Sequence, residues 1–402
     1  MASNHQSPPL ARLRDFFGLE RNLVVMVLSI LVIGMGEEVW SKFVPKYLDA
    51  LGATALVVGA YGVLKDGLDA VYQYPGGWLS DRMGFRRALV LFNVLAITGY
   101  ALYLVADWRW VLAGTLFVAA WSSLSLPATF SVIGASLRRE RRAIGFGVQS
   151  ILKRLPIVIA PAAGGLLMDR MGVVGGVRIG LLITIGLAAA AIWMQLRLYR
   201  EPPREKPADD TLRAVWRRMP PGLKGLLTAD CMVRMGQGIG EVFIVLYATN
   251  VVKVSMAQFG LLTSLRMIVS IATYIPVSKI ADRMDRRPWV VLTYAFFALF
   301  PVTVALAHNL AGLMVAFAVA GLREIGEPPR KALIVDLSPA DARGRSVGLF
   351  YLVRGLVVTP AAYFGALLWR VSPALTFWVS AGAAASGLVF YAAYYAFKRS
   401  EP

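Results

Sequence analysis

Long apolar blocks alternate with short polar breaks from one end of this chain to the other. A helix needs roughly 20 such residues to cross a hydrocarbon core of about 30 Å. The blocks predict twelve spans, the first six being Leu23–Leu48, Ala53–Tyr74, Ala88–Ala106, Trp110–Leu137, Ile144–Met168 and Gly176–Leu196. The last six are Leu223–Val251, Ala257–Ile280, Trp289–Ala307, Leu310–Leu337, Ser346–Trp369 and Ala374–Phe397. One long break separates the sets, Tyr199–Gly222, and its run Glu201-Pro202-Pro203-Arg204-Glu205-Lys206-Pro207 excludes a membrane helix. The expected organisation is a tail (1–22), a six-helix bundle (23–198), a linker (199–222), a second six-helix bundle (223–397) and a short tail (398–402). The fold class is an all-α integral membrane protein.

Arginines gather in alternate breaks: Arg82, Arg86 and Arg87; Arg138, Arg139, Arg141 and Arg142; Arg283, Arg286 and Arg287; Arg343 and Arg345. The other breaks hold scattered cations such as Lys46, Arg109, Arg170, Arg178, Lys253 and Arg370. Basic loops stay on the cytoplasmic side, so both termini are expected there, in the inner (plasma) membrane. No Ala-x-Ala site follows the first apolar run, which is therefore expected to remain as an anchor. In the linker, Leu212, Val215, Trp216 and Met219 share a stripe beside Arg213, Arg217 and Arg218. That pattern predicts a short helix on the inner membrane surface, in contact with lipid; the alternative is a solvated basic linker.

With 57% hydrophobic and 16% charged residues, the chain could hardly cover a soluble surface. The net charge of +18 would suggest nucleic acid in a soluble protein. Here the basic loops account for it, and no nucleic-acid partner is expected. A single cysteine, Cys231, excludes an intrachain disulfide, and two histidines, His5 and His308, leave no His cluster for a metal. No cofactor is expected. The chain carries no Gly-x-x-x-x-Gly-Lys-Ser/Thr motif, so ATP is not the direct driver, and no catalytic constellation points to an enzyme.

The halves repeat. Pro75 and Ser80-Asp81-Arg82-Met83 return as Pro276 and Ala281-Asp282-Arg283-Met284, an offset of 201, and Arg86-Arg87 as Arg286-Arg287, an offset of 200. Pro161-Ala162-Ala163 returns as Pro360-Ala361-Ala362, and Tyr47 as Tyr247. Six spans per half make the halves parallel, related by an axis along the membrane normal. The run Gly77-Trp78-Leu79-Ser80-Asp81-Arg82-Met83-Gly84-Phe85-Arg86-Arg87 resembles the loop signature of the major facilitator superfamily of secondary transporters. The second copy departs from it, with Ser278 and Asp285 where the glycines stand. Pro161-Ala162-Ala163-Gly164-Gly165 is similar to the fifth-helix motif of drug–proton antiporters, and Asp336–Arg345 to the family's loop after the tenth helix. The resemblance implies a gating latch of Gly77, Asp81, Arg82, Gly84, Arg86 and Arg87, with Asp282 and Arg283 in the second copy. A tight basic turn is the plainer reading of the same residues.

Ionisable groups at bilayer depth are costly and point to a path or a site. The proton-coupling candidates are Glu37, Glu38, Asp66, Asp69, Glu241, Glu324 and Glu327. The spacing pairs Lys42 with Glu38 and Lys65 with Asp69. Gly34 and Gly36 loosen the first span just before its acids, and Gly236, Gly238 and Gly240 precede Glu241. The substrate candidates are Trp40, Lys42, Tyr61, Lys153, Arg154, Arg234, Tyr247, Arg266, Arg323 and Arg354. Arg154 and Arg354 stand 200 apart, at nearly corresponding sites, where they could attract an anion or anchor acids of neighbouring helices.

The expected function is secondary transport by alternating access, driven by a proton gradient, with efflux of a small organic compound. Many buried arginines make a specific organic anion the alternative. Both halves of the site lie in one chain, so a monomer is expected to suffice.

Overall fold

The computed structural model describes residues 21–124, 142–199, 212–281, 285–339 and 343–399. Among these residues every regular element is a helix. Seven helices are by themselves long and apolar enough to cross a membrane. They account for eight of the twelve expected spans, because Arg142–Leu198 carries the fifth and sixth together and turns at Gly172, φ 75°. The remaining spans are interrupted or charged. The second, Ala55–Val71, carries Lys65, Asp66 and Asp69. The fourth, Trp108–Ala119, passes into a π-helical turn at Ala120–Leu124. Residues 125–141, which include the rest of that expected span, lie outside the described residues.

The seventh span is Pro221–Glu241 followed, after a bend of 40°, by Ile244–Val251. The tenth is split into Leu310–Leu322 and Glu327–Asp336, with Pro328 and Pro329 opening the second piece. The first is broken as well, with a 3-10 turn at Ser41–Phe43 between Arg21–Trp40 and Val44–Ala50. Spans one, four, seven and ten thus share an interruption near mid-length. Each break frees backbone polar groups inside the membrane layer, which is tolerated where protein or a wet cavity receives them.

The two halves repeat in detail. The Tyr47 hydroxyl donates to the Tyr103 carbonyl at 2.8 Å, and the Tyr247 hydroxyl to the Ala305 carbonyl at 3.3 Å. A Cβ on Gly36 would lie 2.8 Å from Thr184, and one on Gly236 would lie 2.6 Å from the Ser380 carbonyl. Glycine at these sites lets the first helix of each half touch the last. Between halves, a Cβ on Gly260 would fall 2.2 Å from the Pro161 carbonyl oxygen, and one on Gly62 2.5 Å from Ala362. These seams join span eight to five and span two to eleven.

Two sequence expectations change. The signature run is helical through Met83 (Gln73–Met83), and the turn shrinks to Gly84, φ 86°, before Phe85–Leu104 begins. An L side chain rarely adopts that φ, which explains the glycine. In the linker, Leu212–Arg218 is helical, and part of its stripe faces protein. Val215 and Met219 are buried against Leu223 in the second bundle's core, while Trp216 is exposed, with the Lys224 ammonium 5.3 Å from its ring.

Gly164→Ala should lower the thermal midpoint in detergent by several degrees, because the new Cβ would sit 1.8 Å from the Val39 carbonyl oxygen and overpacking costs about 1–3 kcal/mol. Gly186→Ala, with nothing within 4 Å, should leave it unchanged. Equal midpoints for both variants would refute the close seam between spans one and five.

Candidate functional site

The interrupted helices surround a cavity of about 540 Å³ between the halves. On the first-half wall stand Glu37, Glu38 and Lys42 of span one, Lys65, Asp66 and Asp69 of span two, and Ser123 of span four. Lys42 lies 3.4 Å from Glu38, the partner its spacing assigns. Lys65 lies 3.5 Å from Asp66 and 3.6 Å from Asp69. Ser123 donates to Asp69, and the Tyr100 hydroxyl donates to Glu37 at 2.5 Å. Among the described residues this wall carries four carboxylates and two lysines.

The second-half wall carries Glu241, Arg266 and the rings of Phe259, Phe300 and Phe317. Arg266 donates to Glu241 at 3.1 Å. Arg323 lies 3.6 Å from the other Glu241 oxygen, with its guanidinium 4.4 Å from the Phe300 ring centre. Arg323 is 1% exposed, and one of its terminal nitrogens has no hydrogen-bond partner.

From Glu241 a chain of side chains runs back along span seven toward the arginine-rich face. Gln237 donates to Glu241 at 3.4 Å and accepts from Arg234 at 2.9 Å. Arg234 also pairs with Glu327. Arg330 then bridges Glu327 and Asp230, at 2.8 Å each. Asp230 is fully buried and accepts further from Arg354 at 3.2 Å and from the Tyr294 hydroxyl at 3.1 Å. Five arginines against three carboxylates leave this second-half network two positive charges in excess. Paired charges are tolerated at depth, whereas a lone one costs several kcal/mol.

Of the candidates read from the sequence, Glu37, Glu38, Asp66, Asp69, Glu241, Trp40, Lys42, Tyr61 and Arg266 line the cavity. Glu324, Glu327, Arg154, Arg234, Arg323 and Arg354 stand outside its wall, in the pairs that brace it. Arg154 and Arg354 both stand off the wall of this cavity: Arg154 reaches Ser270 at 2.7 Å and Glu324 at 3.4 Å, while Arg354 reaches Asp230. Tyr247 is buried and packs edge-on against Phe377, away from the cavity. Trp40 is nearly buried too, with its indole donating to Thr184 at 2.9 Å.

In the signature run, Arg82 stacks 4.2 Å over Trp78, and Arg86 and Arg87 are exposed on the helix that follows Gly84. Gly77, Asp81 and Lys153 lie outside the residues whose side chains are described, and Asp282 and Arg283 outside the described residues. In the second copy, Arg286 pairs with Asp336 at the end of span ten, and Asp285 accepts from Tyr395 at 2.9 Å.

The sequence reading overlooked Asp230, although a lone acid in an apolar stretch obeys the same rule that singled out Glu241. It also missed a tie between the halves on the face opposite the arginines. Lys46 donates to Asp49 at 2.7 Å and to Asn250 at 2.5 Å, and Asn250 donates to Asp49 at 3.2 Å. Nearby, Asp169 of span five accepts from the amides of Met256 and Ala257 at 2.9 and 3.0 Å, capping span eight. Pro45, beside Lys46, lines the cavity, so this tie sits at its end.

Comparison with known proteins agrees with this architecture. The sequence pattern of the Major Facilitator Superfamily matches residues 26–233 and again 226–402. An uncharacterised MFS-type transporter of Methanocaldococcus jannaschii is 21% identical over 368 residues, covering 89% of this chain and 91% of its own. The methyl viologen resistance protein SmvA of Salmonella typhimurium is 26% identical over 153 residues, 37% of this chain and 30% of its own. Among solved structures, a POT family transporter in complex with a thioalcohol-conjugated peptide superposes with a TM-score of 0.80 at 13% identity, covering 96% of this chain and 98% of that one. The nucleoside transporter NupG superposes with a TM-score of 0.75 at 12% identity, covering 93% and 99%. At these identities the superpositions speak for the fold.

Asp230→Ala would leave Arg330 and Arg354 without their shared carboxylate. Stability in detergent should fall by about 3–5 kcal/mol, and Arg109→Ala, which removes an exposed pair with Asp107 but keeps the Asp107 cap, should change it by less than about 1 kcal/mol. A mild effect at Asp230 would show that the network does not carry the second bundle. For the opposite-face tie, Lys46→Ala should speed modification of a cysteine at Ser41 by an impermeant thiol reagent added on that face, in a background lacking Cys231. An unchanged rate would reduce the Lys46, Asp49 and Asn250 triad to a local surface cluster.

Proposed function

Because the chain belongs to the Major Facilitator Superfamily, and is therefore a multi-pass membrane transporter rather than an enzyme, we propose that it moves a small organic compound through the central cavity by proton-coupled alternating access, in the direction of efflux. One observation carries the reading: among the described residues five carboxylates face a 540 Å³ cavity, three of them just before helix breaks, against three cations. Such a cavity has the size of a small-molecule site. Its acids are the groups in it that can take up and release protons at moderate cost. Glu37 and Glu38 precede the break in span one, and Glu241 precedes the break in span seven. Movement of the halves about those breaks changes what the acids face, and that is the link between protonation and the gate.

The cavity alternates by exchanging one closed end for the other. The tie of Lys46, Asp49 and Asn250 closes the end opposite the arginine loops in the form described. Opening that end requires breaking those bonds and sliding span eight against span five. The short match to a methyl viologen resistance protein supports efflux of an organic compound, and favours including that dication among the compounds tried. Transport of an organic anion is the second reading, favoured by Arg266 on the wall and Arg323 behind it.

Reconstituted vesicles with an imposed pH gradient supply the test. The compounds are methyl viologen, hydrophobic monocations, small organic anions, a dipeptide and a nucleoside. Gradient-driven movement of at least one compound should exceed movement without a gradient by about tenfold, the effect of one pH unit on a one-proton exchange. Glu→Gln at the coupling position among Glu37, Glu38 and Glu241 should abolish accumulation and spare exchange down a substrate gradient. Full gradient-driven accumulation in all three variants would defeat the coupling assignment.

A further inference from the structure

The cavity leaves one built element without a task. The linker helix Leu212–Arg218 is only seven residues long, too short to hold its shape in water by itself. The second bundle holds it instead. Val215 and Met219, four residues apart on one face, are buried in the cluster that contains Leu223 of span seven and Phe350 of span eleven. The helix also lies along Arg343–Val358, the helix that begins span eleven. Packing therefore fixes which side of it faces away from the protein.

That side is basic and aromatic. Arg213 and Arg217 lie four residues apart and are exposed, and neither has an ion-pair partner among the described residues. Trp216 stands between them in the chain and is 39% exposed. The Lys224 ammonium lies 5.3 Å from the centre of its ring. Lys224 is in the first turn of Pro221–Glu241. The patch therefore sits where span seven enters the membrane layer, on the arginine-rich face.

Each feature constrains the partner. Guanidinium groups that have no carboxylate suit a phosphate, whose oxygens accept paired N–H bonds. An exposed indole among cations suits the headgroup level of a bilayer, where the ring meets apolar surroundings and its N–H stays near polar groups. A solvated linker would account for the arginines and leave the open indole of Trp216 without a function. A free phosphate ion would do the same. A phospholipid of negative charge uses both features.

We propose that the outward side of Leu212–Arg218, together with Lys224, docks an anionic phospholipid of the leaflet on the arginine-rich face. Arg213 and Arg217 hold its phosphate, and Trp216, beside the Lys224 ammonium, lies against its glycerol and upper acyl chain. The bundle already orders the helix, so the lipid adds a tether and not a fold. That tether joins the leaflet to the entry of span seven and to span eleven. It holds whatever the cargo or the coupling ion, so its test is separate from any transport assay.

The test follows lipid retained by the purified full-length protein in detergent, by native mass spectrometry, during titration with phosphatidylglycerol or phosphatidylcholine. A basic side chain near an anionic surface strengthens attachment about fivefold. Arg213→Gln combined with Arg217→Gln should therefore weaken the tightest phosphatidylglycerol binding about twenty-five-fold and leave phosphatidylcholine binding as it was. Trp216→Ala, which removes no charge, should weaken the same binding. Arg86→Gln combined with Arg87→Gln removes equal charge from exposed positions of the first half and should leave the tightest binding unchanged. Excess glycerol 3-phosphate should not displace the lipid. If the first double variant fails to fold, Arg217→Gln combined with Lys224→Gln takes its place. Equal affinity for the two lipids would overturn the proposal. Equal losses in the two double variants would do so too, by showing diffuse attraction to a basic face. Displacement by glycerol 3-phosphate would assign the arginines to a free anion and overturn the lipid.

Discussion

A charge inside a hydrocarbon layer must find a partner, and that requirement organises the interior of this protein. Asp230 is held by Arg330 and Arg354, Glu327 by Arg330 and Arg234, and Glu241 by Arg266 and Arg323. These links tie spans seven, eight, ten and eleven into one body. Removing one member would leave another charge buried and uncompensated, which costs more than the pair contributes. The second bundle is therefore stiff where it meets the cavity. The first-half wall is built otherwise, from acids with local lysine partners three or four residues away or next to them in sequence, and with hydroxyl donors from Tyr100 and Ser123.

The second organising constraint is the backbone. Helices that stay intact satisfy their own polar groups. Spans one, four, seven and ten do not stay intact, and all four contribute side chains to the cavity wall. A helix interruption provides a place where a span can bend without unfolding. Between the breaks and the opposite face, small residues allow backbone contact across the halves, as at Gly165 with Met256 and Gly260 with Pro161. Such a seam slides or separates as a unit because it holds few interlocking side chains. Among the described residues its hydrogen bonds include the Lys46, Asp49 and Asn250 tie, the cap that Asp169 places on span eight, and those of Arg154 to Ser270 and Glu324.

Much of the fold was legible because its signals are local or periodic. Apolar block length marks spans, and the return of Tyr47 as Tyr247 marks a repeat whose two hydroxyls make the same kind of bond. The pairing of Glu38 with Lys42 follows from helix spacing alone. What escaped is long-range. Asp230 has partners 100 and 124 residues away, so nothing beside it in the chain announces its role. Arg154 and Arg354 share an offset of 200, yet the half-to-half symmetry fixes only their position and not what they meet. Arg154 meets Ser270 and Glu324, and Arg354 meets Asp230. The linker stripe likewise reads the same whether lipid or protein covers it, and the second bundle covers Val215 and Met219.

The central claim is that protonation of the cavity acids biases which end of the cavity is open. It is tested most directly by the distance between spin labels at Thr54 and Val251, one in each half near the face opposite the arginines, in protein reconstituted in nanodiscs. On passing from pH 8 to pH 5, protonation of first-half carboxylates weakens their attraction to the cations across the cavity such as Arg266, and the distribution should gain a longer component. Glu38→Gln, on the first-half wall, should show part of that component already at pH 8. Distributions that superimpose at both pH values, with the protein intact, would contradict the account.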